Sequence, residues 1–228
     1  MLQKKKKLSK KEIKQDKLVE LYYNFENFFN EYKSKILTYA GIVVVAAAAV
    51  YFYLNHRAEQ NQKAGLELSR VMDFFNPGAY LEAIEGKEGS NIVGLKKIVE
   101  QYDGTENGET AKIYLADCYA YLGNYDEAFK YYKEYDGSIG FLKATALAGQ
   151  AGYYAEQKEY EKAADLYLEA SKISEINSQN PDYLLLAGIN YMKNGNDEEA
   201  KVLFNKIKED YMTSSANKEV DKYLALVQ

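Results

Sequence analysis

The side chains that most often carry chemistry are scarce in this chain. His56 is its only histidine and Cys118 its only cysteine, and they are far apart in the sequence. A single histidine excludes a His-rich metal site, and the separation disfavours a nucleophile paired with a histidine. No Gly-rich phosphate-binding motif is present. The sequence therefore predicts no enzyme activity, no cofactor and no metal.

Adjacent acidic residues are the remaining candidates for catalysis. Asp126-Glu127 and Glu198-Glu199 each stand where a helix is predicted to begin, and negative charge there matches the helix dipole. We interpret them as solvated residues of helix starts rather than as paired acid and base carboxylates. Cys118 lies among apolar helix residues, so we interpret it as a small buried side chain.

The run from Ile36 to Leu54 is almost wholly apolar and carries no charge. A helix of this length spans about 28 Å, close to the ~30 Å of a bilayer's hydrocarbon core. Tyr39, Tyr51 and Tyr53 lie toward its ends, where aromatic rings favour the lipid headgroups. The run therefore predicts a transmembrane helix in contact with membrane lipid.

The charge distribution predicts the orientation of this helix. Residues 1–35 carry ten Lys and five Asp or Glu, a net charge of +5, whereas residues 36–228 carry a net charge of −10. Short basic flanks stay in the cytoplasm. We therefore expect a single-pass membrane protein with a cytoplasmic N-terminus and an exported C-terminal domain.

Two alternatives remain for the apolar run. A cleaved signal peptide would use the small residues from Ala46 to Ala49, but the run continues through Val50 to Leu54 beyond that site. A buried core helix would have to be apolar on every side and pack beside a domain that does not need it. The uncleaved anchor fits the pattern better than either.

Three later segments share one spacing of small and aromatic residues. Each has a small residue, an aromatic residue three positions on, an Ala nine positions after that, and an aromatic residue four positions further. The three sets are Ala116, Tyr119, Ala128 and Tyr132; Ala151, Tyr154, Ala163 and Tyr167; and Gly188, Tyr191, Ala200 and Phe204. The small residues would let paired helices approach closely, and the aromatic residues would fill the space between neighbouring pairs.

This pattern resembles the tetratricopeptide repeat over about residues 109–214. Lys112, Leu147 and Leu184 stand where the family has Trp, and its closing Pro is missing. The resemblance implies an all-α protein, in which one N-terminal transmembrane helix precedes an α-solenoid of degenerate repeats. A poorer fourth copy has Gly94-x₃-Ile98 in its second helix, 58–75 as its first helix, and an insertion at 76–90 between the two.

These elements predict five segments. Residues 1–35 form a basic, amphipathic tail, 36–54 the transmembrane helix, 55–108 the membrane-proximal helix and degenerate repeat, 109–214 three repeats, and 215–228 a capping helix. The tail has apolar residues at helical spacing from Leu18 to Tyr32, which indicates a helix resting on anionic lipid or contacting a membrane partner. Lys4–Lys7 has no interleaved aromatic residues, so nucleic-acid binding is not predicted.

The order of elements, with Phe28-Phe29 in the tail, resembles the YfgM-type proteins of Gram-negative bacteria. Members of that family are ancillary subunits of the Sec translocon, and their periplasmic repeats engage chaperones. The resemblance implies a membrane-tethered scaffold that assists protein export or chaperone hand-over. It also implies a place in the bacterial inner membrane, with the C-terminal domain in the periplasm. Its partners would be translocon subunits, periplasmic chaperones or exported clients, without a small-molecule substrate.

By the same resemblance, the first helix of each hairpin would line a groove that binds these partners. The candidate residues are Thr110, Ile113, Asp117, Tyr121, Thr145, Ala148, Gly152, Asp182, Leu185, Ile189 and Met192. Two alternatives give the groove other partners. It could serve an envelope-assembly or cell-division complex, or, with the opposite topology, an organelle import receptor whose repeats face the cytosol.

Overall fold

The computed structural model describes residues 10–227, with side chains from Lys17 onwards. The Lys4–Lys7 run and Gln228 lie outside the described residues. The helices are α1 (Lys10–Phe75), α2 (Tyr80–Glu85), α3 (Leu95–Gln101), α4 (Glu106–Tyr121), α5 (Tyr125–Glu134), α6 (Gly140–Glu156), α7 (Tyr160–Ala170), α8 (Asn180–Asn194), α9 (Asp197–Asp210) and α10 (Ser215–Leu224). Residues 10–227 contain no strand, only an isolated bridge between Gly86 and Val93. The all-α prediction is confirmed.

The chain divides into two compact units, the first ending at His56 and the second beginning at Arg57. In the first unit most of the large apolar side chains of α1 between Leu18 and Leu54 are exposed. Helix α1 contains the one stretch of the described residues that is long and apolar enough to cross a membrane, judged by length and composition. No residue in its most apolar window is buried.

Three helical hairpins, α4–α5, α6–α7 and α8–α9, dominate the second unit, and each packs against the next. The small residues of the repeated pattern are buried where paired helices meet. Gly188 shows why a small residue is needed, because a Cβ there would collide with the ring of Phe204 on the partner helix. Phe204 is itself fully buried.

The first aromatic residue of each copy shows how neighbouring hairpins meet. The Tyr191 hydroxyl donates a hydrogen bond of 2.5 Å to Asp165 of α7. The Tyr154 ring lies edge-on to Phe129 of α5, with centroids 5.3 Å apart. Tyr119 instead stacks on Tyr131 within its own hairpin, at 5.8 Å. Two of the three rings therefore bridge neighbouring hairpins in the way the spacing predicts.

The turns inside the hairpins share a left-handed backbone conformation. Gly123 has φ 78° and Gly195 has φ 85°, values that glycine adopts without steric cost. Lys158 occupies the equivalent position of the middle hairpin with φ 62°, although it is not a glycine. The stack therefore imposes one turn geometry on three different sequences.

The region before α4 departs from the repeat. Gly94 is the N-cap of α3 rather than a residue inside a helix. A Cβ there would collide with the backbone of Glu85 and Gly86 at the end of α2, so the close approach of the two segments requires glycine. The short helix α2 lies within the predicted insertion at 76–90. At the other end, α10 packs on α8 and α9 and buries Val220.

Candidate functional site

A groove of about 700 Å³ opens beside the first helices α4 and α6. Its third wall is the loop between α7 and α8, which brings residues 174–179 next to the N-terminal end of α6. The lining residues are Ile113, Tyr114, Asp117, Gly140, Phe141, Leu142, Thr145, Ser174, Ile176, Asn177, Ser178 and Gln179. The groove thus joins two successive hairpins and the loop that leads to a third.

Asp117 is the only carboxylate among these lining residues, and they include no Lys or Arg. Its Oδ1 accepts a hydrogen bond of 2.5 Å from the Tyr132 hydroxyl. Burial raises the pKa of the Asp117 carboxyl above its usual range, although the bond from Tyr132 opposes the rise. Burial and the neighbouring Asp117 likewise raise the pKa of Tyr132. The groove therefore offers one partly desolvated acidic group.

Two apolar side chains in the groove wall are largely exposed. Phe141 is 57% exposed and Ile176 is 95% exposed. Beside them, the Thr145 hydroxyl donates to the Phe141 carbonyl at 3.0 Å, so it is engaged within α6. An apolar segment bound in the groove would remove the Phe141 and Ile176 side chains from water, which favours association.

The structure brings three of the eleven predicted groove residues together at this groove, namely Ile113, Asp117 and Thr145. Four others belong to the apolar core of α6–α10 or pack against it. These are Ala148, Leu185, Ile189 and Met192. Helix α10, which packs on α8, contributes to the same apolar cluster.

The remaining four predicted residues lie apart from one another. Gly152 lines a separate cleft of about 210 Å³ formed by α4, α5 and α6. The Thr110 hydroxyl donates to the Glu106 carbonyl at 2.9 Å, within α4. Tyr121 stacks on Tyr80 with ring centroids 4.7 Å apart. Asp182 accepts a hydrogen bond of 3.3 Å from Ser215.

Sequence reasoning missed Phe141, Ile176 and the rest of the 174–179 loop. Ile176 is an isolated apolar residue between the polar residues Glu175 and Asn177. An apolar side chain in a polar loop is the signal that could have identified it, since loops on rigid scaffolds often carry binding residues. Phe141 shows no comparable signal, because apolar residues are ordinary in the first turn of a helix.

The residues with catalytic potential are not part of the groove lining. Cys118 is fully buried, and burial followed by the nearby Asp117 carboxylate raises the pKa of its thiol to about 12. The thiol therefore stays protonated and unreactive at neutral pH, as expected of a small core side chain. Within residues 17–227, no three His, Cys, Asp or Glu side chains are grouped to hold a metal ion.

Comparison with known proteins identifies the repeats. The model of the tetratricopeptide repeat family matches residues 110–135 and 182–214. The first match covers most of α4 and α5, and the second covers most of α8 and all of α9. No curated protein is significantly similar to the chain. These two stretches thus match the tetratricopeptide repeat, and such repeats indicate a protein–protein interaction scaffold.

Proposed function

We propose that this chain is a membrane-tethered scaffold that binds segments of partner proteins in the groove between α4, α6 and the α7–α8 loop. The observation that carries the proposal is this groove, lined by exposed Phe141 and Ile176, in an array whose first and third hairpins match the tetratricopeptide repeat. An extended polypeptide with an apolar side chain fits it, because such a segment would cover both residues while its backbone meets hydroxyl and amide groups.

The tether in this proposal is the apolar part of α1. Its length, composition and exposure support a membrane-spanning segment over Ile36 to Leu54. The net charge of +5 before it and −10 from residue 36 onwards supports a cytoplasmic N-terminus and a periplasmic repeat unit in the bacterial inner membrane.

The process served by the scaffold is, in this proposal, protein export or chaperone hand-over at the Sec translocon. The layout of tail, anchor and repeats supports it through the resemblance to YfgM-type proteins. An envelope-assembly or cell-division complex is the alternative client, and the identity of captured partners separates the two.

Site-specific photo-crosslinking in cells tests the groove. A photoreactive residue at Ile176 should capture discrete partners, whereas the same residue at Val202 should not. Val202 is the matched control because it is an aliphatic side chain on α9, 65% exposed and outside the groove lining. Translocon subunits or chaperones among the products support export, and envelope-assembly proteins support the alternative. Equal capture at both positions contradicts the groove.

Cysteine labelling tests the orientation. Cys118 is buried, so the parent chain provides an unreactive background. With an impermeant maleimide added from the periplasmic side, Ser178→Cys should react at once, and Asn27→Cys only after the membrane is broken. The reverse order would place the repeats in the cytosol, as in an import receptor, and overturn the periplasmic assignment.

A further inference from the structure

The first part of α1 carries an apolar face with the spacing of a coiled coil. Leu18, Leu21, Phe25, Phe28 and Tyr32 are separated by alternating steps of three and four residues. Such steps repeat every 3.5 residues, which keeps one seam of a helix facing a partner helix. We refer to these five residues as the aromatic seam.

Four of the five residues of the aromatic seam are exposed, and Tyr32 is half-buried. Leu18, Leu21, Phe25 and Phe28 are between 56% and 69% exposed, and Phe29 beside them is 38% exposed. The ring contacts along this face run within the helix, from Phe25 to Phe29 and from Phe28 to Tyr32. An apolar face of this size in water requires an occupant.

The heptad register continues into the apolar run. Ile42, Ala46 and Ala49 fall at the same 3.5-residue positions as the aromatic seam. They line a shallow cleft of about 500 Å³ on α1. Small residues at such positions let two helices approach closely within a bilayer. A partner that pairs with the aromatic seam would therefore also meet this cleft.

Helix continuity argues against lipid as the cover for the whole seam. Helix α1 runs without interruption from Lys10 through the apolar run. At 1.5 Å per residue, Leu18 lies about 27 Å along the axis from Ile36, well beyond the depth at which an interfacial helix contacts lipid. A partner helix parallel to α1 reaches this distance, whereas a bilayer surface does not.

We propose that two copies of this chain pair through α1, in parallel, along the aromatic seam. The inference rests on the proposed membrane anchor, because a common orientation of two anchors makes the helices parallel. The exposed side chains of the seam and the flanking Phe29 offer several hundred Å² of apolar surface per copy, the same order as the ~800 Å² per partner of a stable interface.

Charged residues surround the seam. Glu20, Glu26 and Lys33 occupy outer heptad positions, where they stay in water, whereas Lys17 and Glu31 occupy positions that directly flank the seam. Lys35 is the one charged residue among the positions that continue the 3.5-residue spacing from Leu18 to Ala49. It directly precedes the apolar run, where a lysine can extend its ammonium to the headgroups. Its ammonium lies 5.6 Å from the centroid of the Tyr32 ring.

Disulfide crosslinking of the full-length chain in native membranes tests the pairing. Leu21→Cys and Phe28→Cys place a thiol on the seam, and Glu20→Cys and Asn27→Cys place one on the opposite face as matched controls. Mild oxidation should give a covalent dimer for the two seam variants and none above background for the controls or for the parent with Cys118 alone. Dimers of equal yield at all four positions, or at none, overturn the proposal.

Tryptophan fluorescence separates a failed pairing from a failed anchor. The chain has no Trp, so one substitution gives a clean signal. In phosphatidylcholine–phosphatidylglycerol vesicles with brominated acyl chains, Val44→Trp should be quenched, which reports the anchor. Phe25→Trp should remain unquenched yet shielded from aqueous iodide. Quenching of Phe25→Trp by the lipid overturns the pairing in favour of lipid contact, and loss of Val44→Trp quenching overturns the anchor.

Discussion

The first part of α1 and the repeat hairpins use large apolar side chains in opposite ways. Phe28 of α1 is 56% exposed, whereas Phe204 of α9 is fully buried against the position of Gly188. In the hairpins, the chain supplies the neighbour at a fixed offset in sequence. Phe28 contacts only the Tyr32 ring of the same helix among the ring contacts along this face and stays largely exposed, so a further neighbour has to come from outside the helix. Apolar content alone therefore does not distinguish a core from an interface; the source of the neighbouring atoms does.

The largest expected effect comes from replacing one buried and one exposed phenylalanine by alanine. Phe204→Ala leaves a cavity in a close-packed core and should reduce the free energy of unfolding of the repeat unit by about 3–5 kcal/mol. Phe28→Ala should leave that free energy unchanged. Reactivity of the buried Cys118 thiol as a function of urea measures both. An equal loss in the two variants would mean that the exposed face supports the repeat fold.

Arginine at two equally exposed valines separates membrane from water as the surrounding medium. Val44 and Val202 are 67% and 65% exposed. Val44→Arg should shift membrane insertion unfavourably by about 2.5–3.5 kcal/mol, because it places a charge in the hydrocarbon. Val202→Arg should change neither insertion nor stability by more than about 0.5 kcal/mol. A glycosylation-based insertion assay gives the first quantity, and unchanged insertion of Val44→Arg would refute the anchor.

A smaller difference in stability is expected when one methyl group is added at each of two glycines. A Cβ at Gly188 collides with the Phe204 ring, whereas a Cβ at Gly41 meets nothing within 4 Å. Gly188→Ala should therefore destabilise the repeat unit by about 1–3 kcal/mol through overpacking. Gly41→Ala should not alter Cys118 protection in urea. A neutral Gly188→Ala would show that α8 and α9 can separate without cost.

The smallest expected effect is a pH dependence at the groove. The folded pKa of Asp117 lies above its ordinary value of 3.8, so its contribution to stability is fully present below that pH and is lost as the pH rises through the folded pKa. The parent should therefore lose stability relative to Asp117→Asn as the pH rises from below 3.8. Tyr132→Phe removes the hydrogen bond that lowers this pKa and should extend the loss to higher pH. Parallel stability profiles for parent and Asp117→Asn would contradict the assignment.

The hairpins could be predicted from the sequence because their pattern is local. The interval from Tyr119 to Ala128 recurs from Tyr154 to Ala163 and from Tyr191 to Ala200, and each copy fixes a pair of helices. The family model matches the outer two copies, yet the middle one forms the same kind of hairpin. The agreement of the three copies with one another therefore predicted the hairpins better than the match of any single copy to the family pattern.

The groove could be predicted only in part because its walls depend on contacts distant in sequence. Ile113 and Thr145 face it from first helices, as the repeat resemblance implies. Leu185 and Ile189 are at related positions of α8 but contribute to the core that includes α10. Ile176 enters the groove from a loop whose course no helical period describes.

Lys158 has a consequence for how this array can change over time. It holds the left-handed turn between α6 and α7 that glycine holds in the two neighbouring hairpins, at a steric cost of about 1–2 kcal/mol. The surrounding helices tolerate that cost, so the turn depends on the stack more than on its own sequence. Duplicated hairpins could change the sequence of their turns and still pack in the stack. A further hairpin could be inserted between existing ones through the same short connection. The array is in this sense modular, and its length is open to selection.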